Sequence, residues 1–208
     1  MKGPKIVRYM LKSSVVSLFV LLTLSSPLRA QVVARSVDVS GNIGFSNLSG
    51  SETVDTKKHV AFGGAGAYNF NRMSSLGFEY SYQMLGSETQ NGVKLSGHIQ
   101  SYGGVYRVSL IKSKGVVPYD LVAGGGLSET AVGSGGGIKA SASQNGYYIG
   151  FGGGASIYAG PHWGIRPEFR YERQQFLATT INGAQIATYG QNYILGTVSL
   201  FCQFGGKK

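Results

Sequence analysis

The sequence predicts an all-β chain: an eight-stranded antiparallel up-and-down transmembrane β-barrel with short periplasmic turns and long external loops. Three observations carry that reading. After residue 30, apolar residues recur with period two in eight segments of about ten residues, the spacing of strands and not of helices. The connectors between segments alternate in length, as they do where hairpins close tightly at one rim and open into loops at the other. No wholly apolar run beyond Ala30 exceeds a few residues, against the roughly 20 that a helix needs to cross a bilayer.

Composition narrows the class. Of 208 residues, 42% are hydrophobic and only 13% charged, with 33 Gly against 5 Pro; an ordinary soluble domain has about 25% charged residues and about 7% Gly. That balance argues against a typical cytoplasmic enzyme, and the apolar share argues against disorder. Mean hydropathy near zero excludes a polytopic helical membrane protein. One Cys excludes a disulfide framework and a Cys-based zinc site.

The formal net charge of +10 raises the question of a nucleic-acid partner. The N-terminus answers much of it. Lys2, Lys5, Arg8 and Lys12 precede an apolar run, Ser13 to Leu24, and then a small-residue stretch, Ser25 to Ala30. This is the pattern of a secretory signal peptide, cleaved after Ala30, so residues 1–30 form the signal and residues 31–208 the barrel domain. Removing it takes five of the 19 bases and no acid, leaving 14 against 9 acids, or +5. No basic stripe or RNA-binding motif remains, and no nucleic-acid partner is expected.

Taken in order, the segments show an apolar and a polar face. In the first, Val37 to Ser46, Val37, Val39, Ile43 and Phe45 oppose Asp38, Ser40 and Asn42. The second, His59 to Phe70, sets Val60, Phe62, Tyr68 and Phe70 against small residues. In the third, Ser75 to Leu85, Leu76, Phe78, Tyr80, Tyr82 and Met84 alternate with Gly77, Glu79, Ser81 and Gln83. The fourth, Gln100 to Val108, is apolar on both parities, and the aromatic set of Tyr102 and Tyr106 is taken as the outer face, opposite Arg107. The fifth, Val117 to Ser128, places Tyr119, Leu121, Ala123 and Leu127 opposite Asp120. The sixth, Tyr147 to Tyr158, aligns Tyr147, Ile149 and Phe151, with Tyr148 and Tyr158 on the other face. The seventh, Trp163 to Arg173, puts Trp163, Ile165, Pro167, Phe169 and Tyr171 on one parity and Arg166, Glu168, Arg170 and Glu172 on the other. Four charges on one face cannot point at lipid, where Arg or Lys at the midplane costs about 2–4 kcal/mol. The eighth, Tyr193 to Phe204, sets Ile194, Val198, Leu200, Cys202 and Phe204 against Thr197, Ser199 and Gln203.

Long connectors are expected at Asn47–Lys58, Gly86–Ile99, Glu129–Gly146 and Gln174–Asn192, and short turns at Asn71–Ser74, Ser109–Val116 and Ala159–His162. Aromatic residues gather beside the short turns. Tyr68, Phe70, Phe78, Tyr106, Tyr119, Trp163 and Phe204 are expected to form a periplasmic girdle, where amphipathic rings favour the headgroup layer.

The segment pattern, the stretch Pro118-Tyr119-Asp120-Leu121-Val122-Ala123-Gly124-Gly125-Gly126-Leu127, the stretch Trp163-Gly164-Ile165-Arg166-Pro167-Glu168-Phe169-Arg170-Tyr171 and the closing Phe204 resemble the outer-membrane β-barrel family that includes the OmpA transmembrane domain and the opacity-type, porin-like surface proteins. The resemblance spans essentially all of residues 31–208. It implies residence in the outer-membrane lipid, insertion by the barrel assembly machinery with Phe204 as its signal, and a barrel without a peptidoglycan-binding domain after it. An eight-stranded interior is just wide enough for side chains to fill. The resemblance therefore implies that Glu79, Arg107, Asp120, Arg166, Glu168, Arg170 and Glu172 form an ionic plug, with Glu79 pairing with Arg166 or Arg170.

Other candidate sites are weaker. His59, His98 and His162 lack ligand spacing, so no metal is expected. The glycine-rich stretch Gly133 to Gly137 has no Lys-Ser/Thr after it, so no phosphate-binding loop and no cofactor are expected. No catalytic triad or acid pair assembles by spacing. The leading functional expectation is a non-enzymatic barrel working through its external loops, whose ligands the sequence does not specify, with a small-solute or ion pore as a variant. A membrane-embedded enzyme would need clustered rim residues, whereas Glu52, Asp55, Glu88 and Glu129 are scattered. A secreted lipocalin-like or avidin-like barrel holding an apolar ligand would need the charges of the seventh segment on its outside.

Overall fold

The computed structural model describes residues 32–49, 59–90, 92–110, 115–135, 138–181 and 184–206. The expected signal peptide, residues 1–30, lies outside the described residues, as do residues 50–58 of the first long connector. Eight long strands close one barrel: β1 (Ser36–Ser49), β2 (His59–Asn69), β3 (Ser74–Gln90), β4 (Val93–Ser109), β5 (Val116–Gly135), β6 (Ile138–Tyr158), β7 (Trp163–Phe176) and β10 (Tyr189–Gly205). Two short strands, β8 (Thr179–Ile181) and β9 (Ala184–Ile186), pair as a separate hairpin between β7 and β10. Each long strand pairs antiparallel with its sequence neighbour in the barrel, and β1 pairs with β10 from Ser36↔Gly205 to Ser49↔Asn192. Closure leaves no sheet edge along this wall, the condition for a sheet to cross lipid. Among the described residues no helix is long and apolar enough to cross a membrane.

Outward positions carry the apolar side chains. Val39, Ile43, Phe45, Phe78, Tyr102, Ile149, Phe151, Phe169, Val198 and Leu200 are each at least half exposed, which in a closed barrel makes a continuous lipid-facing band. The short turns after β2 and β6 sit at one rim, together with the start of β1 and the end of β10, and residues 111–114 of the expected turn after β4 lie outside the described residues. One of them, after β2, is held by Asn71 Oδ1, which accepts from Met73 N (2.7 Å) and Ser74 N (2.9 Å).

Two of the expected long loops are strands. The ladder of β3 and β4 continues to Gln90↔Val93 and that of β5 and β6 to Gly135↔Ile138, and Lys94↔Ser134 joins the two hairpins into one four-stranded sheet above the band. Backbone pairing satisfies the strands there whatever their side chains, so the polar Ser, Thr and Gly of these stretches conceal the strand from a hydrophobic-periodicity reading.

Segment five is inverted with respect to expectation. Tyr119, Leu121, Ala123 and Leu127 are buried inside the barrel, while Asp120 is exposed on the outer wall. Tyr119 therefore leaves the aromatic girdle, and Asp120 leaves the lumen network. The physical reason is that β5 is apolar on one parity and carries Asp120, Gly124 and Gly126 with only Val122 among them on the other. Interior bulk is supplied by this strand because its neighbours β4 and β6 present Gly103, Gly150, Gly152 and Gly154 inward. Asp120 pairs with Val108, close to the short-turn rim, where an outward carboxylate costs little.

Candidate functional site

The lumen is built by the inward parity of all eight long strands. Near the short-turn rim, Arg166 on β7 reaches Asp38 on β1 with both guanidinium ends, Nη1 to Oδ1 at 3.1 Å and Nη2 to Oδ2 at 2.5 Å. Its Nε donates to Ser156 Oγ at 3.1 Å, and the guanidinium lies 4.4 Å from the Phe201 ring centroid. All three nitrogens of the fork are thus used, the arrangement that makes an Arg–carboxylate pair strong.

One step higher, Arg170 is the hub. Its Nη1 donates to Glu79 Oε1 at 2.5 Å and to Glu172 Oε1 at 3.3 Å; its Nη2 donates to Glu79 Oε2 at 3.0 Å and to Glu168 Oε1 at 2.7 Å. Arg107 adds an ion pair with Glu168 at 3.8 Å, beyond hydrogen-bond reach. Tyrosines complete the carboxylates: Tyr148 Oη donates to Glu79 Oε1 at 3.0 Å and Tyr119 Oη to Glu168 Oε2 at 2.9 Å. Gln174 Nε2 donates to Glu172 Oε2 at 3.3 Å.

Glycines make room for these groups. A Cβ on Gly103 would stand 2.7 Å from Tyr148 Oη, and one on Gly154 would stand 2.7 Å from Tyr119 Oη. Above the ionic layers Ile99, Leu127, Tyr148, Phe176 and Tyr193 pack as one cluster with Leu85 against it, beside the buried amides of Gln83, Gln144 and Gln174. Tyr189 stacks on Phe176 with ring centroids 4.7 Å apart, and its hydroxyl donates to Glu129. Gln144 Nε2 donates to Leu177 O at 2.6 Å and Gln175 Nε2 to Tyr189 O at 2.9 Å, tying the connection that carries β8 and β9 to the rim. Glu129 stands on the part of β5 beyond the lipid band. Burial raises its carboxyl above the usual range, against the lowering effect of the Tyr189 hydrogen bond.

Of the residues expected in the lumen network, Glu79, Arg107, Arg166, Glu168, Arg170 and Glu172 face inward, whereas Asp120 faces outward. Glu79 meets Arg170, and Arg166 meets Asp38. Of the expected girdle, Tyr68, Phe70, Phe78, Tyr106, Trp163 and Phe204 are exposed on the outer wall, and Tyr119 is inside. Asp38, Tyr119, Tyr148, Ser156 and Gln174 join the network without having been expected in it. Parity holds the signal for Asp38, since it alternates with Val37 and Val39 in the company of Ser40 and Asn42. The histidines do not converge: His98 stacks on Tyr82 at 4.8 Å, and His59 Nδ1 lies 3.2 Å from Met84 O. Of the scattered rim acids, Glu52 and Asp55 lie outside the described residues.

A family model described as the outer membrane protein beta-barrel domain matches residues 16–193. No curated protein matches the chain. Among solved structures, Neisserial surface protein A is 13% identical, with a TM-score of 0.55 over 81% of this chain and 96% of that one. Ail, the attachment invasion locus protein of Yersinia pestis, is 15% identical, with a TM-score of 0.52 over 80% of this chain and 99% of that one. A major outer membrane protein from Thermus thermophilus is 7% identical, with a TM-score of 0.51 over 81% of this chain and 99% of that one. At these identities the likeness is one of fold. The secreted barrel with an apolar cavity is excluded, because the four charges of β7 point inward and the apolar side chains outward.

Proposed function

The chain belongs to the family of outer membrane protein beta-barrel domains and resides in the outer membrane, and on that footing we propose that it is a non-enzymatic surface barrel with a sealed lumen. It acts through what stands outside the membrane. The observation that carries this reading is the hub at Arg170: one guanidinium bridges carboxylates from two strands across the interior, beneath an apolar cluster that includes Phe176 and Tyr193. Side chains that hold one another in this way are engaged with each other and not with a substrate, and an eight-stranded interior is just wide enough for such side chains to fill, which supports a closed path for solutes. The working surface is the four-stranded sheet of β3, β4, β5 and β6 beyond the band. It presents Lys94, Ser96 and Thr130 on the outward parity and Val93 and Leu95 on the other.

Export by the N-terminal signal and insertion by the assembly machinery through Phe204 belong to the same proposal. Planar-bilayer recording tests the sealed lumen. The protein as it stands is expected to give no stepwise current, and Arg170→Ala to introduce one; steady unit conductance from the unmodified protein overturns the reading. Shortening the β3–β4 and β5–β6 hairpins to the level of Leu85 and Leu127 is expected to abolish attachment to whole cells or matrix while leaving barrel folding unchanged.

A further inference from the structure

We propose that the outer wall formed by β6, β7, β10 and β1 holds a phosphorylated, acylated lipid of the external leaflet, with its phosphate on Arg173 and an acyl chain in the groove beneath. The groove measures about 630 Å³, is almost wholly apolar, and is lined on the lipid side by Ile43, Phe45, Gly153, Phe169, Gly196 and Val198. Phe45 and Phe169 stand up as ridges, and Gly196 opens the floor between them: a Cβ there would meet nothing within 4 Å.

Register connects this groove to a cation. The pairs Gly196↔Phe169, Ile194↔Tyr171 and Asn192↔Arg173 climb the same outward face, so Arg173 stands two rows above the groove. Its depth follows from β7. Trp163 lies at the short-turn rim, and Arg173 lies ten residues further along the strand. At about 3.3 Å per residue and a tilt of about 40°, that is about 25 Å, the height of the apolar band of such barrels. The guanidinium therefore stands at the external headgroup layer and not in the acyl region.

The cation is also held in place. Arg173 Nη1 donates to Asn192 Oδ1 at 3.0 Å, and the guanidinium lies over Gly190, where a Cβ would come to 2.5 Å from Nη2. Among the described residues no carboxylate is paired with Arg173. A planar fork offering several N–H groups matches phosphate oxygens, and an apolar trough below it selects a ligand that carries a hydrocarbon chain. Together they fit a lipid that joins a phosphate to an acyl chain, the chemistry for which lipid A of the external leaflet is the probe. This site is on the outer wall and is independent of whether the lumen conducts.

Native mass spectrometry of the detergent-solubilised barrel, titrated with bisphosphorylated lipid A and with the same lipid stripped of phosphate, tests the proposal. The unmodified protein is expected to retain the phosphorylated form at least about five-fold more, a difference of about 1 kcal/mol and thus within reach of one charge-assisted contact. Arg173→Gln should erase that preference. Gly196→Leu, whose side chain enters open space and fills the groove, should lower retention of both forms. Heat-modifiable gel mobility shows that each variant is folded. Equal retention of the two lipids by the unmodified protein, or a preference that survives Arg173→Gln, overturns the phosphate site; retention unchanged by Gly196→Leu overturns the groove.

Discussion

Removing the Arg170 guanidinium tests whether the ionic layer is a single cooperative unit. Arg170→Gln deletes four hydrogen bonds to three carboxylates, Glu79, Glu168 and Glu172. At about 1.5–3 kcal/mol for each bond to a charged group, simple addition gives about 6–12 kcal/mol. That sum is too large, because the bonds share one donor group and the freed carboxylates can be hydrated or protonated. Breaking one side of a buried ion pair typically costs about 3–5 kcal/mol, and this is the expected loss. Glu79→Gln should cost less, since Arg170 keeps Glu168 and Glu172. The double variant should then be milder than the sum of the singles by about 1–3 kcal/mol, the coupling expected for residues in one network. Urea midpoints in lipid vesicles, read by gel mobility and tyrosine fluorescence, supply all four corners of the cycle. Additivity within about 0.5 kcal/mol would refute the claim that Glu79 and Arg170 stabilise the barrel as a pair.

Other outcomes follow from the same geometry. Asp120→Leu should change stability by less than about 1 kcal/mol, because the side chain faces the outer wall near the short-turn rim; a loss of several kcal/mol in the urea midpoint would return it to the lumen. Tyr119→Phe removes the hydroxyl bonded to Glu168 and should cost about 1–3 kcal/mol by the same measurement. Gly103→Val places a side chain against the Gly124 carbonyl and Tyr148 Oη and should cost at least about 1–3 kcal/mol or prevent folding, seen as loss of the heat-modifiable band. At the external lip, burial raises the Glu129 carboxyl, so the folded state binds its proton more readily than the unfolded chain. Protection of the Tyr189 and Phe176 amides should therefore be greatest below the unfolded value of about 4.3 and fall as pH rises through the folded one. Glu129→Gln should flatten that profile after correction for intrinsic exchange.

How far the sequence could be read depended on how unequal the two faces of each strand are. On β7 the contrast is complete, with Trp163, Ile165, Phe169 and Tyr171 against Arg166, Glu168, Arg170 and Glu172, and the side assigned to each parity agrees with the structure. On β5 it fails. Inward-facing Tyr119, Leu121, Ala123 and Leu127 are more apolar than outward-facing Asp120, Gly124 and Gly126, so hydrophobicity ranks the faces backwards. The information that decides the matter lies on other strands: Gly154 of β6 opens the interior that the Tyr119 ring occupies, and Glu168 of β7 accepts its hydroxyl. Beyond the lipid band the difficulty is different. Ser87, Thr89 and Ser96 on one hairpin and Thr130, Gly133, Ser141 and Ser143 on the other give little alternation in hydrophobicity, yet the ladder continues because backbone groups pair regardless of side chain.

Pairing inside the lumen was the least legible layer, and the reason is geometric. Parity states which side chains point inward, but it does not state at what height each stands, because strand tilt and stagger shift every strand against the next. Arg166 and Arg170 are two pleat repeats apart, both inward, and equally near Glu79 by parity alone. Stagger decides between them: it brings β1 to the level of Arg166, giving Asp38 to that guanidinium, and lifts β3 so that Glu79 meets Arg170. The same stagger leaves four carboxylates, Asp38, Glu79, Glu168 and Glu172, against the three guanidiniums of Arg107, Arg166 and Arg170, with three of the four carboxylates on one hub. Neutral donors lower the cost of burying that surplus acid by sharing its charge. Tyr119, Tyr148 and Gln174 each direct their donor at one of these carboxylates. The inward tyrosine of β5, which looks misplaced by hydrophobicity, thus answers a carboxylate of β7.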